Sequence, residues 1–494
     1  MSENPQSDIF TIGVGGAAGD GVKKAGIKIG AFLQSLGYQV YISFDYPSLI
    51  RGGHNFARIS FSKNKIWNDH AKLDILIVSN EGSVEIHRGE LKEGVKIISD
   101  IPLPKISEDP KVIFEGTNLA AFAESFGEPK GELIDGNTAF ARGLQAAGLD
   151  FYLAYPMTPS TSILHYLASK QTKEGLKVIQ PENEIAAINM ALGMVYAGKR
   201  VAVGSATGGF ALMQEAFSFT GMAELPLVVA VSQRQAPATG APTHSSQSDL
   251  RFAIHSGHGE FPRIVITPGD PEESFKAGAD AMNLAWKFQV PVIVLLDKIL
   301  SEHMMTSAIN TDSVLVEKNE NMIFPGTPDK VVKVTSYEHD ENGITTEKAE
   351  DIKRAVERRF AKLENIKSEM QNRETAKIYG DPTSENVVVF WGSTKAPVLE
   401  AAKYFNKPIK LVQIIWLEPF DAERVKRELE GNPAFAESYG GRRKIICVEG
   451  NRGGQLASLI REKTGIEITE KILKYDSQPF DPEVLAEEIN KKVM

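Results

Sequence analysis

Cysteine is almost missing from this chain: Cys447 is the only one in 494 residues. One thiol cannot close an intrachain disulfide, nor can it hold an iron–sulfur cluster or a structural zinc through cysteines of this chain. Long apolar runs are missing too. The longest, such as PLVVAV (226–231), fall far short of the roughly 20 residues that cross a bilayer. The opening MSENPQSDIF has no basic stretch followed by an apolar core, so it does not read as a secretory signal and a cytoplasmic protein is expected. Nor is there an excess of positive charge. A net charge of −9 argues against a surface built to hold nucleic acid. What remains is a globular composition, 42% hydrophobic and 24% charged with 42 glycines, in a chain long enough for about three domains.

Short β-branched runs alternate with amphipathic stretches, the pattern of βαβ units; the expected fold class is α/β with three doubly wound domains. The first block, residues 1–130, opens with FTIGVGG and continues through QVYISFDY, NFARISFS and DILIVSN. The second, 131–308, begins with the helix-like GNTAFARGLQAAG. It then offers six apolar strands: FYLAYP, LKVIQ, RVAVGSA, PLVVAVSQ, RIVITP and PVIVLLD. PSTSILHYLAS is expected to be helical with Pro159 near its first turn. Residues 309–383 are highly charged and read as a linker followed by a solvated helical arm. A last α/β block, 384–494, contains NVVVFWGS, IKLVQIIWLEP and KIICVEG as strands.

Chemistry is expected where strands of an open α/β sheet end, because ligands sit outside their carboxyl edge. Four segments of the second block leave there: Tyr155–Thr161, Glu182–Glu184, Ser205–Gly209 and the loop that begins with Gln233 and Arg234. Acids at a helix start are stabilised by its dipole and need no other role. Here, however, the small and apolar residues behind Glu184 (Ala186, Ala187, Met190, Ala191, Gly193) suggest tight packing against another surface, and a buried carboxylate needs a partner. The glycine string GVGGAAGDGVKKAG (13–26) follows a strand and enters a helix. It is open to two readings, an anion cradle or a tight turn, since it matches neither the strict GxGxxG spacing nor a P-loop. Arg51 lies beside two glycines where backbone could approach a ligand closely. His244, His255 and His258 lack helical spacing and read as loop residues, with no metal site.

Together YPMTPST (155–161), PENEIAAINMALG (181–193), SQRQAPATGAPT (232–243) and GHGEFPRIVITPGD (257–270), in that order, resemble the α subunit of 2-oxoacid:ferredoxin oxidoreductases. The first block, with YPSLIRGGHNFARISF, is similar to the γ domain of these enzymes fused in front of α. The last, with WLEPF and VEGNRGGQLASLIRE, is similar to the transketolase C-terminal-like domain that follows. The resemblance makes the second block a pyrimidine-binding domain for thiamine diphosphate.

It implies oxidative decarboxylation of a 2-oxoacid to an acyl-coenzyme A, with electrons passed to ferredoxin. It also implies a separate β subunit supplying the diphosphate and magnesium site and the iron–sulfur cluster, in an αβ unit or its dimer. The fusion favours 2-oxoglutarate, with pyruvate, branched-chain or aryl 2-oxoacids and oxalate as alternatives, and a non-catalytic scaffold as a reading from another class. Carried over by position, Glu184 hydrogen-bonds the aminopyrimidine ring and favours its imino tautomer, Arg234 clamps the substrate carboxylate, and Thr158 hydrogen-bonds the substrate. Tyr155 and Pro156 line the cofactor. The chain departs from the family pattern at Met157 (usually Ile), at Gln235 and Ala236 (usually glycines) and at Thr207–Gly208–Gly209 (usually Gly-Pro-Gly). These changes alter the wall around the substrate carboxylate. The first block is shorter than a usual γ domain, and no coenzyme A residues are assigned in it.

Overall fold

The computed structural model describes residues 9–47, 53–99, 131–317, 319, 321–340, 342–430 and 443–493. Arg51 and the end of the first block lie outside them. The middle of three sheets runs in the order Trp416–Glu418, Ile264–Ile266, Val292–Asp297, Val228–Gln233, Val201–Ala206, Phe151–Leu153, Lys177–Ile179. All six strands expected in the second block are there and mutually parallel. Every residue of Val201–Ala206, Val228–Gln233 and Val292–Asp297 is buried. Helices cover both faces of such a sheet, which is why these strands read as unbroken apolar runs. Their carboxyl ends share one edge.

The first sheet is mixed rather than wholly parallel. Phe10–Ala17 is parallel to Leu73–Val78 but antiparallel to His54–Ser62, which is in turn antiparallel to Gln39–Asp45. The connection 46–53 is too short for a crossover, so only an antiparallel return is open to it. Strands also pass between blocks. Glu132–Asp135 and Met304–Ser307, read with the second block, complete the edge of the first sheet. Ala376–Gly380, read as linker, pairs antiparallel with Lys410–Ile414 in the third sheet. IKLVQIIWLEP divides at Ile415: Lys410–Ile414 stays in the third sheet, while Trp416–Glu418 crosses to the edge of the middle one, antiparallel to Ile264–Ile266. An unpaired strand edge takes whichever neighbour can satisfy its N–H and C=O groups. The boundaries read from sequence therefore cut between hydrogen-bonded neighbours.

The charged arm contains the helix Ala349–Met370, which is not simply solvated: Ala355, Arg359, Ile366 and Met370 are buried. Arg359 pairs with Glu338, and Lys362 donates to the Gln289 carbonyl at 2.9 Å. Helix Thr161–Glu174 begins after Pro159, not with it; Ser160 is its N-cap. Among the described residues no helix is long and apolar enough to cross a membrane.

A buried polar knot joins the second block to the last. At the start of helix Pro271–Phe288, Asp270 accepts from the Glu273 N–H at 2.8 Å, while Glu273 accepts from Gly269 N–H at 2.8 Å and Gln413 Nε2 at 2.6 Å. Lys395, itself buried, donates to Asp270 and lies 2.5 Å from Glu273 Oε1; Lys377 lies 3.1 Å from the same oxygen.

Asp135 caps helix Gly136–Ala146 by accepting from Thr138 N–H at 2.6 Å. Burial nevertheless pushes its carboxyl pKa up, to about 6. The sign follows from linkage: above pH 6 the folded protein carries a poorly solvated charge, and the penalty disappears as pH falls through 6 towards the ordinary carboxylate value. Asparagine caps about as well as aspartate. Asp135→Asn should therefore raise the melting temperature at pH 7.5 and lose its advantage by about pH 4.5, as scanning fluorimetry across pH would read.

Candidate active site

Glu184 opens helix Glu184–Tyr196, with Asn183 as the N-cap accepting from Ala186 N–H. Its residue is only 3% exposed. Ser205 Oγ, at the end of Val201–Ala206, lies 3.4 Å from Glu184 Oε1, a long hydrogen bond, and among the described residues no lysine or arginine pairs with this carboxylate. Room for it is made by Gly209, where a Cβ would fall 2.4 Å from Glu184 Oε1 and 2.1 Å from Ser205 Oγ. A buried carboxylate in this state is an acceptor short of a donor.

Arg234 leaves the end of the neighbouring strand, Val228–Gln233, and reaches across to the Thr158 carbonyl, to which Nη1 donates at 2.7 Å. It is half-buried, and desolvation pulls its pKa below the usual guanidinium value. Among the described residues no carboxylate pairs with it. The two limbs approach each other through the turn 155–160: a Cβ on Gly208 would lie 3.9 Å from Met157 Sδ, and Gly208 adjoins the Gly209 that packs on Glu184. Glu184, Arg234 and Thr158 thus gather at one sheet edge, where an unpaired carboxylate and an unpaired guanidinium coexist without bonding each other. Ser160, buried, ties the turn by donating to the Met157 carbonyl at 2.8 Å, and Pro156 is half-buried beside it.

Helix Glu184–Tyr196 has two faces. Ala187, Ile188, Ala191, Leu192 and Val195 enter the core. Opposite them Ile185 is 50% and Met190 40% exposed, and Gly193 faces open space, so the packing expected behind Glu184 holds for Ala187 and Ala191 alone. Tyr155, 39% exposed, and Leu212, 54% exposed, add to the apolar surface at this edge.

Sequence reasoning missed Asp249. It is 16 residues beyond Gln233, with no motif to mark it, yet its carboxylate accepts from Thr207 Oγ1 at 2.7 Å and its N–H donates to Gln233 Oε1 at 3.0 Å. In the glycine string of the first block Asp20 accepts from Ala17 N–H at 2.8 Å and from Ser79 Oγ at 2.5 Å, while the start of the following helix, at Gly21, carries no side-chain cap. A Cβ at Gly15 would meet Ser83 at 2.9 Å, so that glycine serves packing. Among the described residues no group of three or more His, Cys, Asp or Glu side chains is arranged to hold a metal.

Residues 142–359 match the family model described as pyruvate flavodoxin/ferredoxin oxidoreductase, thiamine diphosphate-binding, and residues 11–192 match that of pyruvate ferredoxin/flavodoxin oxidoreductase. The α subunit of a 2-oxoacid:ferredoxin oxidoreductase from Saccharolobus solfataricus is 35% identical over 70% of this chain; the match spans 59% of that relative's length. The 2-oxoglutarate synthase subunit KorA of Archaeoglobus fulgidus is 32% identical over 60% of this chain and 84% of its own. The 2-oxoglutarate:ferredoxin oxidoreductase from Magnetococcus marinus, solved with 2-oxoglutarate, coenzyme A and succinyl-CoA bound, superposes with a TM-score of 0.86 at 25% identity, over 99% of this chain and 100% of that one. With its thiamine diphosphate-binding match lying over the edge that gathers Glu184, Thr158 and Arg234, the chain belongs to the 2-oxoacid:ferredoxin oxidoreductase α-subunit family.

Proposed function

We propose that this chain is the α subunit, with a γ-like block in front, of an enzyme that oxidatively decarboxylates a 2-oxoacid on thiamine diphosphate and yields an acyl-coenzyme A. The observation that carries this reading is the coexistence at one edge of a buried carboxylate without a cation and a desolvated guanidinium without an anion. Each is suited to a group that arrives from outside. Thiamine diphosphate supplies a carbon nucleophile for the 2-oxo carbon and a sink for the electron pair released with carbon dioxide. Glu184 fits its aminopyrimidine ring, accepting a hydrogen bond and holding a proton there in a site shielded from water. Arg234 presents a planar fork to the carboxylate of the 2-oxoacid, while its bond to the Thr158 carbonyl steadies the turn that brings Thr158 to the substrate.

A separate subunit completes the site. The exposed apolar residues beside Glu184 support that reading. So does Cys447, which is buried with its thiol pKa pushed up by desolvation and by Glu449, and cannot furnish the thiolates of a cluster. Electrons then leave through a cluster on the partner to ferredoxin. The relatives named for 2-oxoglutarate, and the fused γ-like block, support that acid as substrate.

The test is reconstitution with the partner subunit, calorimetric titration of thiamine diphosphate into the complex, and viologen reduction with 2-oxoglutarate, pyruvate, branched-chain and aryl 2-oxoacids and oxalate. Absence of cofactor binding would turn the reading to a scaffold. Arg234→Lys keeps the charge but loses the fork, and should raise KM for the accepted acid about 10- to 100-fold with a smaller change in kcat. An unchanged KM would take the substrate carboxylate away from Arg234.

A further inference from the structure

The carboxylate of Asp249 has no part in the reading above, yet it lies between the two limbs of the site. Strands Val201–Ala206 and Val228–Gln233 run side by side with Ala206 opposite Ser232, so Thr207 and Gln233 are the first residues past that pair. Beyond them the chain diverges. Thr207 is followed by Gly208 and Gly209, the latter packed against Glu184; Gln233 is followed by Arg234. Asp249 touches both branch points, taking the Thr207 hydroxyl on its carboxylate at 2.7 Å and giving its N–H to Gln233 Oε1 at 3.0 Å. Gln233 is fully buried and anchored in turn by Nε2 to the Leu296 carbonyl at 3.2 Å.

Two details separate this from ordinary loop bonding. Asp249 is the N-cap of helix Leu250–Ile254, where an aspartate normally accepts from the first-turn N–H groups, yet its side chain makes no such bond. Desolvation raises its pKa, and the Thr207 hydroxyl works against that rise. Gly208 and Gly209, moreover, lie in the first turn of helix Thr207–Leu212 and carry no side chain that could tie that turn to a neighbour. Thr207 opens that helix, and its side chain ties the turn beside Glu184 to Asp249.

We propose that Thr207 and Asp249 are a positioning pair which sets the separation of Glu184 from Arg234, and so of the cofactor ring from the substrate carboxylate. The proposal rests on the catalytic reading of those two residues. Neither member touches the reacting groups; the pair acts by joining the two limbs that do.

The holo complex with the partner subunit provides the test. Thr207→Val keeps the shape and removes the donor; Thr207→Ser keeps the donor. A joint between limbs predicts that Thr207→Val weakens both thiamine diphosphate affinity and 2-oxoacid KM, each by about 10-fold, since misplacement by a fraction of an ångström is costly in such sites. Thr207→Ser should restore both within about twofold. Asp249→Ala, which removes the acceptor but retains the backbone bond to Gln233, should move the same two constants in the same direction and guards against a misfolded valine variant. The melting temperature, which a purely structural bond would move, should hold within about 3 °C. Shifts in one constant only, or equal behaviour of the valine and serine variants, overturn the proposal alone. A wild-type complex that neither binds thiamine diphosphate nor oxidises any 2-oxoacid overturns the catalytic reading and this proposal with it.

Discussion

Glu184→Gln is expected to lower 2-oxoacid turnover of the reconstituted complex about 10³-fold, or about 4 kcal/mol of barrier, while assembly with the partner subunit is unchanged. The substitution is isosteric, so Gly209 still accommodates the side chain and Ser205 still has an oxygen to donate to. What disappears is the ability to hold a proton. An amide cannot exchange one with the cofactor ring, and buried sites give water little chance to substitute. Single-turnover viologen reduction reads the chemical step, and size-exclusion chromatography reads assembly. A variant that turns over within tenfold of wild type would remove Glu184 from proton handling. A variant that fails to assemble would make it a surface of the subunit contact instead.

Lys395→Met should lower stability by about 3–5 kcal/mol, the cost of stranding buried carboxylates by removing their cation. Lys395 serves two of them, Asp270 and Glu273. Lys377 stays with Glu273, but Asp270 would be left with the Glu273 N–H and a like charge beside it. Burial, with the like charge of Glu273, raises the pKa of Asp270, while Glu273 is kept low against its own burial by Lys395, Lys377 and the Gln413 amide. The deficit should therefore shrink in acid, as the stranded carboxyl takes a proton, and Asp270→Asn added to Lys395→Met should recover much of it. The first transition in a urea melt is the measurement, because a chain with three sheets need not unfold in one step. A loss below about 1 kcal/mol would show that the knot contributes little and that apolar packing alone joins the two blocks.

The candidate site could be read from sequence because its parts sit next to strand ends and carry unusual residues. PENEIAAINMALG placed Glu184 at a helix start, and the polar loop after PLVVAVSQ placed Arg234 off a buried strand. Small residues such as Gly209 marked where something had to fit. Asp249 was not legible, since a hydrogen bond to Thr207 across 42 residues of sequence separation leaves no trace in spacing. The glycine string was ambiguous for a related reason: spacing does not say which of its N–H groups meet an internal acid, and in the fold Asp20 folds back to take that of Ala17.

By itself the sequence determined the alternation of strands and helices, the six parallel strands of the middle sheet and the candidate residues at their ends. These depend on periodicity and local turn chemistry, which act over a few residues. Only the tertiary structure decided which sheet receives Glu132–Asp135, Met304–Ser307, Ala376–Gly380 and Trp416–Glu418. Short strands carry no address in their composition; their hydrogen bonds go to the edge that packing leaves open. Tertiary structure also left Glu184 and Arg234 at the same sheet edge but unpaired with each other. That arrangement depends on contacts between distant segments, through Gly209, Thr158 and Asp249, and no local pattern could encode it.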